Sequence, residues 1–395
     1  MPKPPNEATA PSSTDPEDDR EVFAGDDKGP RSTRDFSEAE KEEVKNETED
    51  LRQWIKGLSG DDLKTGNWFE KLLAHALTTY AKTATWEWFQ DKYPGVPADV
   101  IVDQRIKMAT RYSALEGGLS ASAYSAAIVA TLGTAGGASP IALPAAGVTV
   151  VVDLAYTSQL QVRLAYDIAV LYRVPVDIDD PEDLWNLVRV AFAIKGGELL
   201  SEGAMKAAPV IVRPVLRKIF SGSLLATARS IPFVGKYLLQ KTIIKVGIPL
   251  VGVPLAIGLN FWTARIAGRY ARSVYRNIAR VMELANRLSD WSEHPQLLLW
   301  VAWLVIQADG KIGDDEALLI RHLIQNVKVH HQVEDDELAR VINIEPADVW
   351  RRLEAETGDL SDILHAAELI ADVDGVVSPE ELAILERLRQ RVQRQ

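Results

Sequence analysis

Between Met205 and Met282 the chain carries 13 basic side chains and not one acidic side chain. Residues 1–60 hold 16 acidic against 9 basic side chains, residues 61–204 hold 17 against 11, and residues 283–395 hold 23 against 11. The formal net charge of −12 therefore hides a cationic layer between acidic regions. Such a layer must either meet carboxylates of its own fold or face an anion from outside. Cysteine is absent, which excludes a disulfide scaffold, thiolate metal sites and cysteine nucleophiles.

The 395 residues suffice for two domains and a tail, with 47% apolar residues to fill a core. Residues 1–35 are rich in Pro, Ser, Asp and Glu and read as a disordered acidic tail. The opening MPKPPNEATAPSSTDPEDD has neither the basic start nor the apolar run of a secretory signal. Residues 36–66 read as a charged helix and linker. The apolar positions of that helix (Val44, Leu51, Trp54, Ile55) are sparse enough to suggest loose docking.

Residues 67–290 read as a helical body. Trp68, Leu72, Leu73, Ala76, Leu77 and Tyr80 recur at helical steps, predicting one helix from Asn67 to about Lys92. A second is expected from Pro97 to Leu115, stopped by Gly117 and Gly118. Residues 117–152 contain no charge, and 23 of these 36 residues are Gly, Ala, Ser or Thr. A buried helical hairpin turning at 133–144 is the simpler reading, and a bilayer-inserted hairpin the alternative. A long helix follows from about Val148 to Tyr172. In DDPED, Asp180 fits an N-cap and Pro181 the first helical position, with Glu182 and Asp183 behind them. Residues 246–264 are again uncharged, but Pro249 and Pro254 argue against one straight helix and for a core segment or shallow insertion.

Arg265, Arg269, Arg272, Arg276 and Arg280 follow at steps of 4, 3, 4 and 4. At helical pitch they fall within about 80° of arc. Ile266, Tyr270, Val274, Ile278 and Val281 are expected opposite, as the buried face. Like charges stacked this way cost roughly 0.2–0.5 kcal/mol per pair. An anion must offset that: lipid phosphate, the chain's own acidic ends, or nucleic acid. The apolar Gly/Pro-rich neighbour favours anionic membrane lipids, with Arg217, Lys218, Lys206 and Arg213 extending the layer. No base-reading motif accompanies the arginines, so nucleic acid is not expected.

Asp153-Leu154, Arg163, Ile168-Ala169, Tyr172 and the segment Asp179–Asp183 give residues 70–285 a resemblance to the EcsC family of bacterial proteins. The Gly/Pro-rich stretch at Val251–Asn260 and the Arg/Tyr-rich helix behind it share in it. The resemblance implies a helical, membrane-linked protein and supplies no catalytic residue.

Residues 296–395 contain a repeat. LVIQADGKIGDDEALLIRHL at 304–323 aligns with LIADVDGVVSPEELAILERL at 369–388. Each copy predicts a helix, an Asp-Gly turn and a new helix start, with Ser378 and Glu381 as a capping box. As a calcium loop each copy is half empty, because Val305 and Ile370 stand where the first ligand belongs. The copies resemble TerB-like modules, named from tellurite-resistance proteins. That resemblance implies a compact helical domain linked to stress or envelope functions. It also implies a weak divalent-cation role for Asp309, Glu316, Asp374 and Glu381.

His330 and His331 read as solvated loop histidines, and no HExxH, GxSxG, GxGxxG or P-loop pattern occurs. The expectation is an all-α, non-catalytic protein without a cofactor, cytoplasmic and peripheral at the inner membrane face. Its acidic C-terminal domain would bind an unidentified protein. One rival is a hydrolase-type site around Asp153, Arg163 and Asp167. The other is a cytosolic scaffold whose basic layer is neutralised internally.

Overall fold

The computed structural model describes residues 33–65, 67–133, 142–193, 253–310, 312–331 and 345–394. Among them every regular element is a helix. They divide into two compact units, 33–287 and 288–394, and each is described by itself. Of the acidic tail only Thr33–Asp35 is described, as a single 3-10 turn.

In the first unit, α1 (Glu38–Lys56) opens on a capping box. Ser37 accepts the Glu40 amide, and the Glu40 carboxylate accepts the Ser37 amide. The loose docking expected of α1 is corrected, because Val44, Leu51 and Ile55 are buried in the core together with Phe36. Polar contacts add to this. Glu40 pairs with Arg111 at 2.9 Å, and Tyr112 donates to Glu43. Residues 36–66 thus belong to the body.

The helix expected from Asn67 to Lys92 is three: α3 (Asn67–Leu77), α4 (Tyr80–Thr83) and α5 (Trp86–Lys92), after the short α2 (Gly60–Thr65). Threonines explain the breaks. Thr78 turns its hydroxyl back onto the Ala74 carbonyl at 2.7 Å, and Thr85 caps α5 through the Trp88 amide.

The glycine pair at 117 and 118 does not stop its helix either. α6 runs from Ala98 to Gly133 and packs along α7 (Ala142–Leu171); residues 134–141 of the turn expected at 133–144 lie outside the described residues. Gly117 and Gly118 are buried. Interior glycine costs about 1 kcal/mol per residue in a helix, and the long packed interface offsets that. Among the described residues no helix is long and apolar enough to cross a membrane.

Helix α7 is the axis of the body, packed by α1, α3, α5, α6 and α8 (Pro181–Ala191). Asp180 caps α8 as expected, accepting the Glu182 and Asp183 amides at 2.7 and 3.3 Å. The last body helix, α9 (Val253–Trp291), starts within the apolar stretch 246–264, where Pro249 and Pro254 argue against one straight helix. Pro254 lies in its first turn, where a missing N–H costs nothing.

The second unit begins near the end of α9, at Leu288. Its axis is α10 (Pro295–Ile306), buried without interruption from Leu297 to Ile306. A helix apolar on all sides must be enclosed. α11 (Asp314–His331), α12 (Pro346–Ala355), α13 (Ser361–Ala371) and α14 (Pro379–Val392) pack against it. The repeat is visible as α10–turn–α11 and α13–turn–α14. Gly310 and Gly375 hold φ of +73° and +80° at equivalent turns, a region that side chains resist.

Candidate functional site

The arginine column lies on α9, and the buried face of that helix is only partly the expected one: Val281 is buried and Val274 and Ile278 pack against the core. Ala264, Gly268, Ala271 and Tyr275 are buried, whereas Ile266 is 54% exposed. Close approach explains this. A Cβ at Gly268 would sit 3.0 Å from Ile106 and 3.1 Å from Leu164, so α9 uses its smallest residues to lie against α6 and α7. Ile266 lies on the other side of the arginine column. Trp262 shares that side at 47% exposure. The guanidinium of Arg265 stands 5.8 and 6.0 Å from the Phe261 and Trp262 rings.

The column itself is split. Arg272 reaches Asp103 at 2.6 Å and Asp99 at 3.3 Å, and Arg276 reaches Asp99 at 3.8 Å. Tyr172, just past α7, donates its hydroxyl to Asp99 at 2.5 Å. That hydrogen bond, with Arg276 and Arg272, holds the Asp99 carboxyl below the usual range against the opposing effect of burial. Arg269 meets no carboxylate among the described residues. Arg280 bonds Asn277 at 2.9 Å. Lys206, Arg213, Arg217 and Lys218 lie outside the described residues.

Arg163 and Asp167 meet around Tyr80, and Asp153 lies apart from them. Asp167 is fully buried, with Arg105 at 2.5 Å and the Tyr80 hydroxyl donating at 2.7 Å. Arg105 also donates to the Tyr80 oxygen at 2.9 Å, closing a three-way clasp. Burial pushes the Asp167 carboxyl up, against the pull of Arg105 and Tyr80. Arg163 lies over the Tyr80 ring, donates to the Ala76 carbonyl at 3.1 Å and pairs with Glu47 at 3.5 Å. Asp153 accepts from Asn260 at 3.4 Å. Sequence reasoning missed Tyr80, Arg105, Asp99 and Asp103. The four-residue step of Asp99 and Asp103, matching that of Arg272 and Arg276, was the one available signal.

In the second unit Glu316 and Glu381 are buried, and their carboxylates accept the amides of Gly313 at 2.6 Å and Ser378 at 2.7 Å. They serve as caps. Burial, followed by the charges of Glu381, Asp374 and Asp309, pushes Glu316 up to about 7, against the Gly313 hydrogen bond. All four residues singled out as cation ligands are therefore neighbours in the electrostatic sense. No group of three His, Asp or Glu side chains among the described residues is arranged to hold a metal ion. His330 faces Asp290 at 3.0 Å, and a His331 ring nitrogen lies 3.0 Å from the Ser289 carbonyl.

No family model, curated protein or solved structure matches this chain.

Proposed function

We propose that the protein is a peripheral membrane protein that meets an anionic lipid surface with the segment of α9 from Trp262 to Arg269. The observation that carries the reading is one side of the helix on which the exposed Trp262 and Ile266 stand beside the half-buried Arg265 and Arg269. An indole belongs at headgroup depth, and arginine beside it meets lipid phosphate. Each basic side chain near an anionic leaflet contributes about 1 kcal/mol. The absence of a spanning helix among the described residues is compatible with a peripheral mode.

The likeness of the body to EcsC proteins and of the C-terminal repeat to TerB-like modules points to a bacterial protein of envelope stress or transport. In this reading the acidic C-terminal unit binds a protein partner, and no reaction is assigned. The closed Tyr80–Arg105–Asp167 clasp removes the main support for a hydrolase site.

Flotation with liposomes tests it. The full-length protein should float with phosphatidylglycerol-containing vesicles and stay behind with pure phosphatidylcholine. Arg265→Gln with Arg269→Gln should weaken binding at least tenfold. Equal flotation with both vesicle types, or with neither, ends the reading.

A further inference from the structure

Arg272 and Arg276 continue the column of Arg265 and Arg269, yet carboxylates of α6 occupy them. Asp99 and Asp103 lie one turn apart on α6, as the two arginines do on α9. Tyr172 fixes Asp99 from a third element. We infer that Asp99 and Asp103 form an internal latch, an anionic stand-in for lipid phosphate that keeps Arg272 and Arg276, two of the five arginines of the column, out of use until a strongly anionic surface displaces it.

Two observations and a comparison of general magnitudes make this a latch and not a permanent brace. The groups are open to solvent: the side chains of Arg276 and Asp103 are 64% and 51% exposed, and that of Arg272 is 30% exposed. A phosphate can therefore reach the guanidinium groups without opening the core. The Arg276–Asp99 separation of 3.8 Å is the longest in the network, so release can begin there. Finally, the two states are close in energy. An exposed ion pair is worth at most about fivefold in an equilibrium constant. An arginine against an anionic leaflet is worth about the same. Neither side wins by default, and the density of lipid charge decides.

The inference rests on the lipid reading and adds regulation to it. Binding becomes two-stage. The Trp262–Arg269 face docks first, and Arg272 and Arg276 then exchange carboxylate for phosphate. On a weakly anionic surface the latch stays closed. The response to lipid charge is thus a threshold, not a proportionate rise.

The experiment is a double-mutant comparison on the full-length protein, titrated with vesicles of 0 to about 60% phosphatidylglycerol in phosphatidylcholine. Asp99→Asn with Asp103→Asn keeps side-chain shape, and an amide oxygen at 99 still accepts from Tyr172. This variant should bind about five- to tenfold more tightly at intermediate phosphatidylglycerol, with a shallower dependence on its fraction. Glu42→Gln with Glu70→Gln, exposed positions on α1 and α3, makes the same change in net charge and should gain less than twofold. Arg272→Gln with Arg276→Gln should change binding less than twofold at low phosphatidylglycerol in the natural background. The same pair should abolish the whole gain in the Asn background.

The latch is overturned if the Asn variant binds no better than the Glu42/Glu70 control. It is equally overturned if the arginine substitutions have the same effect in both backgrounds. Failure of the lipid reading looks different, because then Arg265→Gln with Arg269→Gln leaves vesicle binding unchanged. Helix content and melting temperature of each variant separate loss of fold from loss of latch.

Discussion

The two units use buried polar groups in opposite ways. In the body, the axis helix α7 carries a fully buried aspartate, and its partners come from 62 and 87 residues away in the chain. In the C-terminal unit the axis helix α10 is apolar from Leu297 to Ile306, and the buried carboxylates Glu316 and Glu381 bond amides three residues away. The first arrangement ties distant helices together and forms only when all have assembled. The second is complete within one turn and only fixes where a helix starts. A buried charge in the body is therefore a matter of global stability, and in the C-terminal unit a matter of local geometry.

The largest test of that contrast is Asp167→Asn. It leaves the Arg105 guanidinium buried without a counter-charge and should cost about 3–5 kcal/mol. Denaturant unfolding, with hydrogen exchange followed in peptides from 33–287, measures it. The triple change Tyr80→Phe, Arg105→Met, Asp167→Leu removes every member of the clasp at once and should recover most of the loss. If the single change costs under 1 kcal/mol, the clasp is not what holds these helices.

Glu316→Gln sharpens the contrast from the other side. A carboxyl raised from 4.5 to about 7 in the fold binds a proton more tightly there than in the unfolded chain. Its stabilising contribution is full below its unfolded value and is lost as pH rises through about 7. The Gln variant should match the natural protein near pH 5 and exceed it by about 1–2 kcal/mol at pH 8, allowing for solvent screening. Exchange protection in peptides from 288–394 at the two pH values provides the measurement, and an unchanged difference between them would remove the argument.

The smallest effect is expected from Ser378→Ala. Losing one side-chain cap on α14 should cost about 1 kcal/mol. Exchange should speed up at the first turn of α14 and leave α10 unaffected.

The same contrast explains what the sequence disclosed. The repeat, the Asp-Gly turns, the Ser378 box and the Asp180 cap are local patterns, and each was legible before any coordinates. The clasp of Tyr80, Arg105 and Asp167 and the pairing of Asp99 and Asp103 with Arg272 are set by how helices meet, which no short window contains. The face of α9 was misjudged for a related reason. Hydrophobicity selected Ile266, which is exposed, whereas close packing selected Ala264, Gly268 and Ala271. The glycine pair at 117 and 118 looked like a stop because its cost is local, while the hairpin contact that outweighs it is not. Of the candidate site, the column at 265–280 was plain in the chain, and its division by the carboxylates of Asp99 and Asp103, which hold Arg272 and Arg276, was not.

Gly268 gives that division an unexpected handle. It stands one turn before Arg272, at the point where α9 touches Ile106 and Leu164. A single methyl group there would press on the Ile106 and Leu164 side chains, and where they do not give by a few tenths of an ångström the helix must, taking Arg272 away from Asp99 and Asp103. The tightness of an electrostatic device can thus be tuned by bulk alone, at a position that bears no charge.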